Sequence, residues 1–178
     1  MGVIITESHS MNSQLLNDLK KLLPQINIVS GKTFFWSPET RSITYNNKLL
    51  NNDNGKWALL HEVAHADLDH KSYNSDIGLL KLEVEAWEKA KQIGSKYNIS
   101  INEDHIQDCL DTYRDWLHSR SKCPECEITC LQSTTTRYSC HNCNSSWSVS
   151  DSKLCRPYRL KINILQEKKS QPKVTTFS

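Results

Sequence analysis

The chain has 178 residues, of which 37% are hydrophobic and 24% are charged. This length suits one full domain with a small appendage, and the composition excludes collagen-like, coiled-coil and wholly disordered proteins. No stretch contains the roughly 18 apolar residues that a membrane helix needs, and residues 1–7 lack the features of a secretory signal. The sequence therefore predicts a cytoplasmic protein with no membrane partner.

Charge and cysteine content both change near residue 119. Residues 1–118 contain 12 basic and 16 acidic residues, a net charge of −4, whereas residues 119–178 contain 10 basic and 4 acidic residues, a net charge of +6. Six of the seven cysteines lie in the second part, which favours metal binding over disulfides when no export signal precedes them. We predict a domain over 1–118, a cysteine-rich domain over 119–166 and a disordered tail over 167–178.

Apolar residues recur at helical or β-like spacing in several segments of the chain. Helices are predicted over residues 13–23, 57–69, 77–93 and 101–118, strands over 26–29, 32–36 and 42–46, and a hairpin over 128–139. The turns between the first three strands suit a small antiparallel sheet. The predicted fold class is α+β: a zincin-like domain, with an active-site helix and packing helices, followed by a small β-rich ribbon.

A pair of histidines in the second predicted helix carries the main chemical signal. His61 and His65 are four residues apart and lie on one helix face, where two imidazoles could bind one ion. Glu62 projects beside that ion and could accept a proton from a water molecule that the metal acidifies. The pattern predicts a catalytic zinc and metal-assisted hydrolysis of an amide, with Glu62 as the general base.

A catalytic zinc needs a third protein ligand, and the sequence offers His70, Glu83 and Glu85. His70 would point away from the ion if the helix continued. Glu83 stands among apolar positions of the next helix, where an unpaired carboxylate is costly unless a cation lies opposite. Glu85 shares the polar side of that helix with Glu88. We predict Glu83 as the ligand, with His70 and Glu85 as alternatives.

Residues 61–66 (HEVAHA), the later His70 and the helix with Glu83 and Ala86 resemble the ImmA/IrrE family of gluzincin-like metallopeptidases. The resemblance covers residues 25–95. It implies a zincin-like fold, zinc held by the two motif histidines and Glu83, and a general base at the motif glutamate.

The chain departs from that family at Trp87, where the family often has Asn or Asp. Asp67 or Asp69 is therefore a candidate for orienting a ligand histidine. The residue that polarises the substrate carbonyl stays open, and the candidates are His70, Tyr73, His105 and Tyr113.

Two Cys-x-x-Cys pairs, Cys123 with Cys126 and Cys140 with Cys143, are separated by 13 residues. Four thiolates on two tight turns make a closed tetrahedral site, which small segments with little core use as a source of folding energy. The spacing predicts a structural zinc in a zinc ribbon. A redox-active thiol pair is the alternative.

Basic residues follow the last cysteine, at Arg156, Arg159 and Lys161. They could contact nucleic-acid phosphates, although a solvated basic face fits the same pattern.

The sequence as a whole predicts a zinc metalloendopeptidase with one catalytic and one structural zinc and a protein or peptide substrate. One alternative is an SprT-like protease acting on DNA-bound or DNA-crosslinked proteins, which also joins such a helix to a cysteine-rich ribbon. That class takes its third ligand from a downstream His, and this chain has no His between His70 and His105. Another alternative is a non-catalytic zinc-ribbon module that binds nucleic acid or protein.

Overall fold

The computed structural model describes residues 4–150 and 159–161, with side chains described for 11–150 and 159–160. These residues form an α+β fold with four α-helices and two small sheets. The chain divides into two compact units, one comprising the chain up to Tyr73 with Gly78–Leu110, the other Asn74–Ile77 with the chain from Asp111 onward. The predicted tail over 167–178 lies outside the described residues.

The first unit contains most of the helical structure. Its elements are α1 (Ile4–Leu22), β1 (Asn27–Ser30), β2 (Phe35–Ser37), β3 (Ser42–Tyr45), a 3-10 helix (Leu49–Asn51) and α2 (Asp53–Asp67). Helices α3 (Asp76–Lys96) and α4 (Glu103–Ser121) contribute residues to both units. The predicted boundary at residue 119 falls inside α4.

The sheet of the first unit is mixed, with strand order β1-β3-β2. Strand β2 pairs antiparallel with β3, as Trp36 opposite Ile43, but β1 pairs parallel with β3, as Ile28 opposite Ile43. The prediction of a purely antiparallel sheet is therefore wrong for β1. The chain passes from β1 to the far edge of the sheet, where β2 lies, and β3 then returns between them, antiparallel to β2 and parallel to β1. All three named side chains are buried in the core of this unit.

Helix α2 begins at a tightly packed turn. The Asn52 side chain caps the helix by accepting a hydrogen bond from the Gly55 N–H at 2.8 Å. A Cβ on Gly55 would lie 1.9 Å from the backbone oxygen of Leu49. Only glycine therefore allows the 3-10 helix to approach the first turn of α2 this closely.

The second unit contains a four-stranded antiparallel sheet in the order β4-β5-β6-β7. Its strands are β4 (Gln132–Thr134), β5 (Arg137–Ser139), β6 (Ser146–Val149) and β7 (Arg159–Lys161). The buried rings of Tyr138 and Trp147 stack with centroids 5.5 Å apart. The core of this unit is small and includes several cysteines.

A buried ion pair lies beside that core. The side chains of Asp76 and Arg120 are 2% and 1% exposed, and the Arg120 Nε donates to Asp76 Oδ2 at 2.7 Å. The Tyr138 hydroxyl donates to the same carboxylate. Burial, with the adjacent Asp76 carboxylate, raises the pKa of Tyr138, which keeps its hydroxyl a hydrogen-bond donor. The Trp116 ring covers the Arg120 guanidinium at 4.2 Å.

Candidate metal centres

Helix α2 presents two imidazole rings on one face. The Nε2 atoms of His61 and His65 are 3.0 Å apart, with the ring planes nearly perpendicular at 88°. His61 is buried and His65 is half-buried. Residues four apart lie one above the other on a helix, so the local helical geometry alone brings these two nitrogens together.

Helix α3 brings a carboxylate to the same point. Glu83 Oε2 lies 3.2 Å from His61 Nε2 and 3.7 Å from His65 Nε2, and the residue is only 6% exposed. Burial alone would raise the pKa of Glu83, but hydrogen bonds with His61 and His65 hold it well below its ordinary value. A negative charge is therefore favoured at this buried position.

The spacing of these three atoms fits a tetrahedral zinc ion. Zinc bonds of about 2.0–2.1 Å to nitrogen or oxygen place neighbouring ligand atoms about 3.3 Å apart. The three separations of 3.0, 3.2 and 3.7 Å bracket that value. His61, His65 and Glu83 thus form a group that could hold a metal ion.

Glu62 lies next to this group but outside it. Its Oε2 accepts a hydrogen bond from the backbone N–H of Trp36 at 2.7 Å. Trp36 belongs to β2, an edge strand of the sheet. The sheet thereby fixes one carboxylate oxygen of Glu62 on the helix that carries the two histidines.

Helix α2 ends in a turn that brings His70 back toward His65. Asp69 has a φ of 53°, and the His70 N–H donates to the His65 carbonyl at 3.0 Å, as in a Schellman motif. The Nδ1 atoms of His65 and His70 are 2.8 Å apart, and His70 Nε2 lies 3.5 Å from Glu85 Oε2. Burial, and then the neighbouring His65, lower the pKa of His70.

His70 and Glu85, the two alternative ligands, are therefore placed on the far side of the His65 ring from Glu83. Helical periodicity does not predict the His65–His70 contact, because the contact depends on Asp69 adopting the left-handed backbone conformation. The tolerance of Asp for that conformation was the available signal.

The second nitrogen of His61 has a different environment. Its Nδ1 is buried and has no hydrogen-bond partner in the described part of the chain. The Trp87 ring packs on the His61 ring with centroids 4.2 Å apart, and His105 packs edge-on against Trp87 at 5.7 Å. Stacking, in place of a hydrogen bond, holds this imidazole.

Neither aspartate considered for orienting a ligand histidine is engaged in that role. Asp67 pairs with Lys89 at 2.7 Å, and Asp69 pairs with Lys71 at 2.9 Å and Arg41 at 3.6 Å.

Four cysteines of the second unit form another group that could hold a metal ion: Cys123, Cys126, Cys140 and Cys143. Three sulfur separations within the group are 3.5, 3.5 and 3.7 Å. Zinc–sulfur bonds of about 2.3 Å place sulfurs about 3.8 Å apart, whereas disulfide sulfurs are about 2.05 Å apart. The observed spacing therefore fits four metal-binding thiols and excludes disulfides between them.

The two Cys-x-x-Cys turns share one backbone geometry. Glu127 and Asn144 each follow the second cysteine with φ of 58° and 57°. Each donates its N–H to the carbonyl of the first cysteine of its pair, Cys123 or Cys140, at 3.0 Å. Neither position is glycine, but both adopt the left-handed conformation that orients the two sulfurs of a pair toward one point.

A fifth cysteine lies beside the four-cysteine group. Backbone N–H groups, that of Cys143 first, hold the pKa of Cys140 down to about 6 against the effect of burial. Burial and a hydrogen bond to Cys140 raise the pKa of Cys130 to about 11. The Cys130 thiol donates to the Ile128 carbonyl at 3.3 Å, and this cysteine lies outside the group of four that could hold a metal ion.

The predicted basic stretch is only partly described. The Arg159 guanidinium donates to the Lys122 carbonyl at 2.9 Å, within the second unit. Lys161 is described by its backbone alone, and Arg156 lies outside the described residues. The nucleic-acid contact therefore stays a prediction.

Comparisons with models of protein families, with curated proteins and with solved structures found no match. The likeness to the ImmA/IrrE family stays a prediction based on the motif residues. Among the described residues, no helix combines the length and apolar character needed to cross a lipid bilayer.

Proposed function

We propose that the chain is a zinc-dependent endopeptidase that cleaves peptide bonds in a protein or peptide substrate. One observation carries the proposal: His61 Nε2, His65 Nε2 and Glu83 Oε2 converge within 3.0–3.7 Å. Glu62 lies on the helix that carries the two histidines. Three protein ligands leave the fourth tetrahedral position for water or substrate, which is the arrangement of catalytic zinc sites.

Each residue of the site has a separate role in the proposed hydrolysis. Zinc, when bound, would polarise the substrate carbonyl and acidify a water molecule. Glu62, whose Oε2 accepts from the Trp36 N–H, would accept the proton of the attacking water and would pass that proton to the leaving amine. His61, His65 and Glu83 would hold the ion.

The four-cysteine group is proposed to hold a second, structural zinc. Its thiolates would fill all four coordination positions, which leaves none for substrate. The small core of the second unit makes metal binding a substantial source of its folding free energy.

Kinship with the ImmA/IrrE family and a zincin-like fold are part of the same proposal. The set of two motif histidines with a glutamate from the next helix supports it over an SprT-like protease, whose third ligand is a histidine. Glu62 supports it over a non-catalytic zinc module, because a purely structural site has no use for a carboxylate beside an open position.

The test uses the zinc-loaded full chain and a library of random-sequence peptides read by mass spectrometry. Wild type and the matched control Glu88→Gln, an exposed glutamate paired with Lys91, are expected to cleave the library. Glu62→Gln is expected to keep its zinc and lose about 10²–10⁴ of the rate, because Gln cannot accept the proton. An uncut library with zinc-loaded wild type, or wild-type cleavage by Glu62→Gln, would contradict the proposal.

A further inference from the structure

The His65 and His70 rings face each other through their Nδ1 atoms. Their Nδ1 atoms are 2.8 Å apart, and the side chains are 12% and 8% exposed. A hydrogen bond this short between two imidazoles requires one N–H donor and one lone-pair acceptor. The direction of donation follows from what else each ring contacts.

The opposite nitrogen of His65 decides the direction. His65 Nε2 faces His61 and Glu83, and binding a metal there requires a lone pair on Nε2. The proton of a neutral His65 ring then lies on Nδ1, and His70 Nδ1 must be the acceptor. His70 accordingly carries its own proton on Nε2, the atom that lies 3.5 Å from Glu85 Oε2.

Two hydrogen bonds to the backbone of His70 hold the residue in this position. The His70 N–H donates to the His65 carbonyl at 3.0 Å, and the His70 carbonyl accepts from Trp36 Nε1 at 2.9 Å. Asp69, in the left-handed conformation, makes the turn between helix and acceptor. These contacts fix the position of the acceptor, which is the requirement for orienting a ligand.

We propose that His70 is a positioning residue for the metal ligand His65: it accepts a hydrogen bond from His65 Nδ1 and so fixes the tautomer that offers Nε2 to the metal. The inference rests on the proposed metal site. The two ligand histidines then differ, because His61 Nδ1 has no partner among the described residues and is held by stacking on Trp87. Loss of such a partner typically lowers metal affinity about 10- to 100-fold.

The experiment compares His70→Leu, which removes the acceptor, with His70→Asn, whose side-chain oxygen can occupy the place of Nδ1. Chelator competition on the full chain measures the zinc affinity of the site that contains His65. This site is identified as the one whose ion is lost in His65→Ala. Nitrogen-15 NMR of the imidazoles reports the tautomer of His65. His118→Leu, which removes an exposed imidazole from α4, is the control.

We expect His70→Leu to lower zinc affinity about 10- to 100-fold, His70→Asn to recover it to within about threefold, and His118→Leu to leave it unchanged. The wild-type His65 should carry its proton on Nδ1. Unchanged affinity in His70→Leu would overturn the proposal, as would equal loss in His70→Leu and His70→Asn, which would make His70 a ligand. These readouts need no hydrolysis, so a chain that binds zinc but cleaves nothing would refute the peptidase function and leave this test intact.

Discussion

The buried pair of Asp76 and Arg120 offers a prediction with a matched control on the same chain. Asp111 and Arg114 form a second Asp–Arg pair at 2.6 Å, close to the 2.7 Å of the buried pair. The exposed pair has side-chain exposures of 62% and 43%, against 2% and 1% for the buried pair. The two pairs have similar lengths but differ greatly in burial, and the buried Asp76 also accepts a hydrogen bond from the Tyr138 hydroxyl.

Asp76→Asn would leave the Arg120 guanidinium buried without a counter-charge, which costs about 3–5 kcal/mol. That energy corresponds to a rise of about 10²-fold or more in the unfolding equilibrium constant. Asp111→Asn should cost less than about 1 kcal/mol, because solvent screens an exposed pair. The two changes are chemically identical.

Hydrogen–deuterium exchange read by mass spectrometry measures this effect locally, over residues 137–149 of the zinc-loaded full chain. Exchange in Asp76→Asn should be about 100-fold faster or more, and exchange in Asp111→Asn nearly unchanged. The triple variant Asp76→Leu, Arg120→Met and Tyr138→Phe should recover much of the protection, since an apolar replacement of both ion-pair partners is often neutral and Phe leaves no buried hydroxyl without its acceptor. Equal, small effects from both single variants would refute the reasoning.

Two further predictions concern the first unit. Gly55→Ala should lower the thermal midpoint of that unit and weaken zinc binding, because its Cβ would lie 1.9 Å from the Leu49 carbonyl oxygen. Calorimetry measures the midpoint and chelator competition measures the zinc affinity. An unchanged midpoint would contradict the turn geometry. Glu83→Ala should sharply reduce zinc affinity. The Glu85 side chain is 61% exposed, so Glu85→Ala should change the affinity by less than about threefold. Equal effects of the two variants in competition titrations would contradict the ligand role of Glu83.

Local sequence patterns predict the helices and strands of this fold better than they predict which elements pack or pair with each other. Apolar spacing indicates all four helices, but α1 begins at Ile4, nine residues before the predicted start at 13. Its first residues have no apolar pattern to mark them. The parallel pairing of β1 with β3 also has no local signal, because it depends on which side of β3 the chain places β2.

The same distinction holds at the site. The histidine pair follows from four-residue spacing on one helix, and the burial of Glu83 follows from its apolar neighbours. The position of His70 depends on a left-handed Asp69, a conformation that Asp adopts only in a minority of cases. The contact of Asp76 with Arg120 joins residues 44 apart in sequence, so no local pattern contains it.

The central claim is that His61, His65 and Glu83 hold one metal ion and the four cysteines hold another. Zinc per chain, measured by inductively coupled plasma mass spectrometry on the purified full chain, tests it most directly. We predict two ions in wild type, one in His65→Ala and one in Cys126→Ser, because the two groups share no ligand. A single ion in wild type, or two ions retained in His65→Ala, would contradict the account.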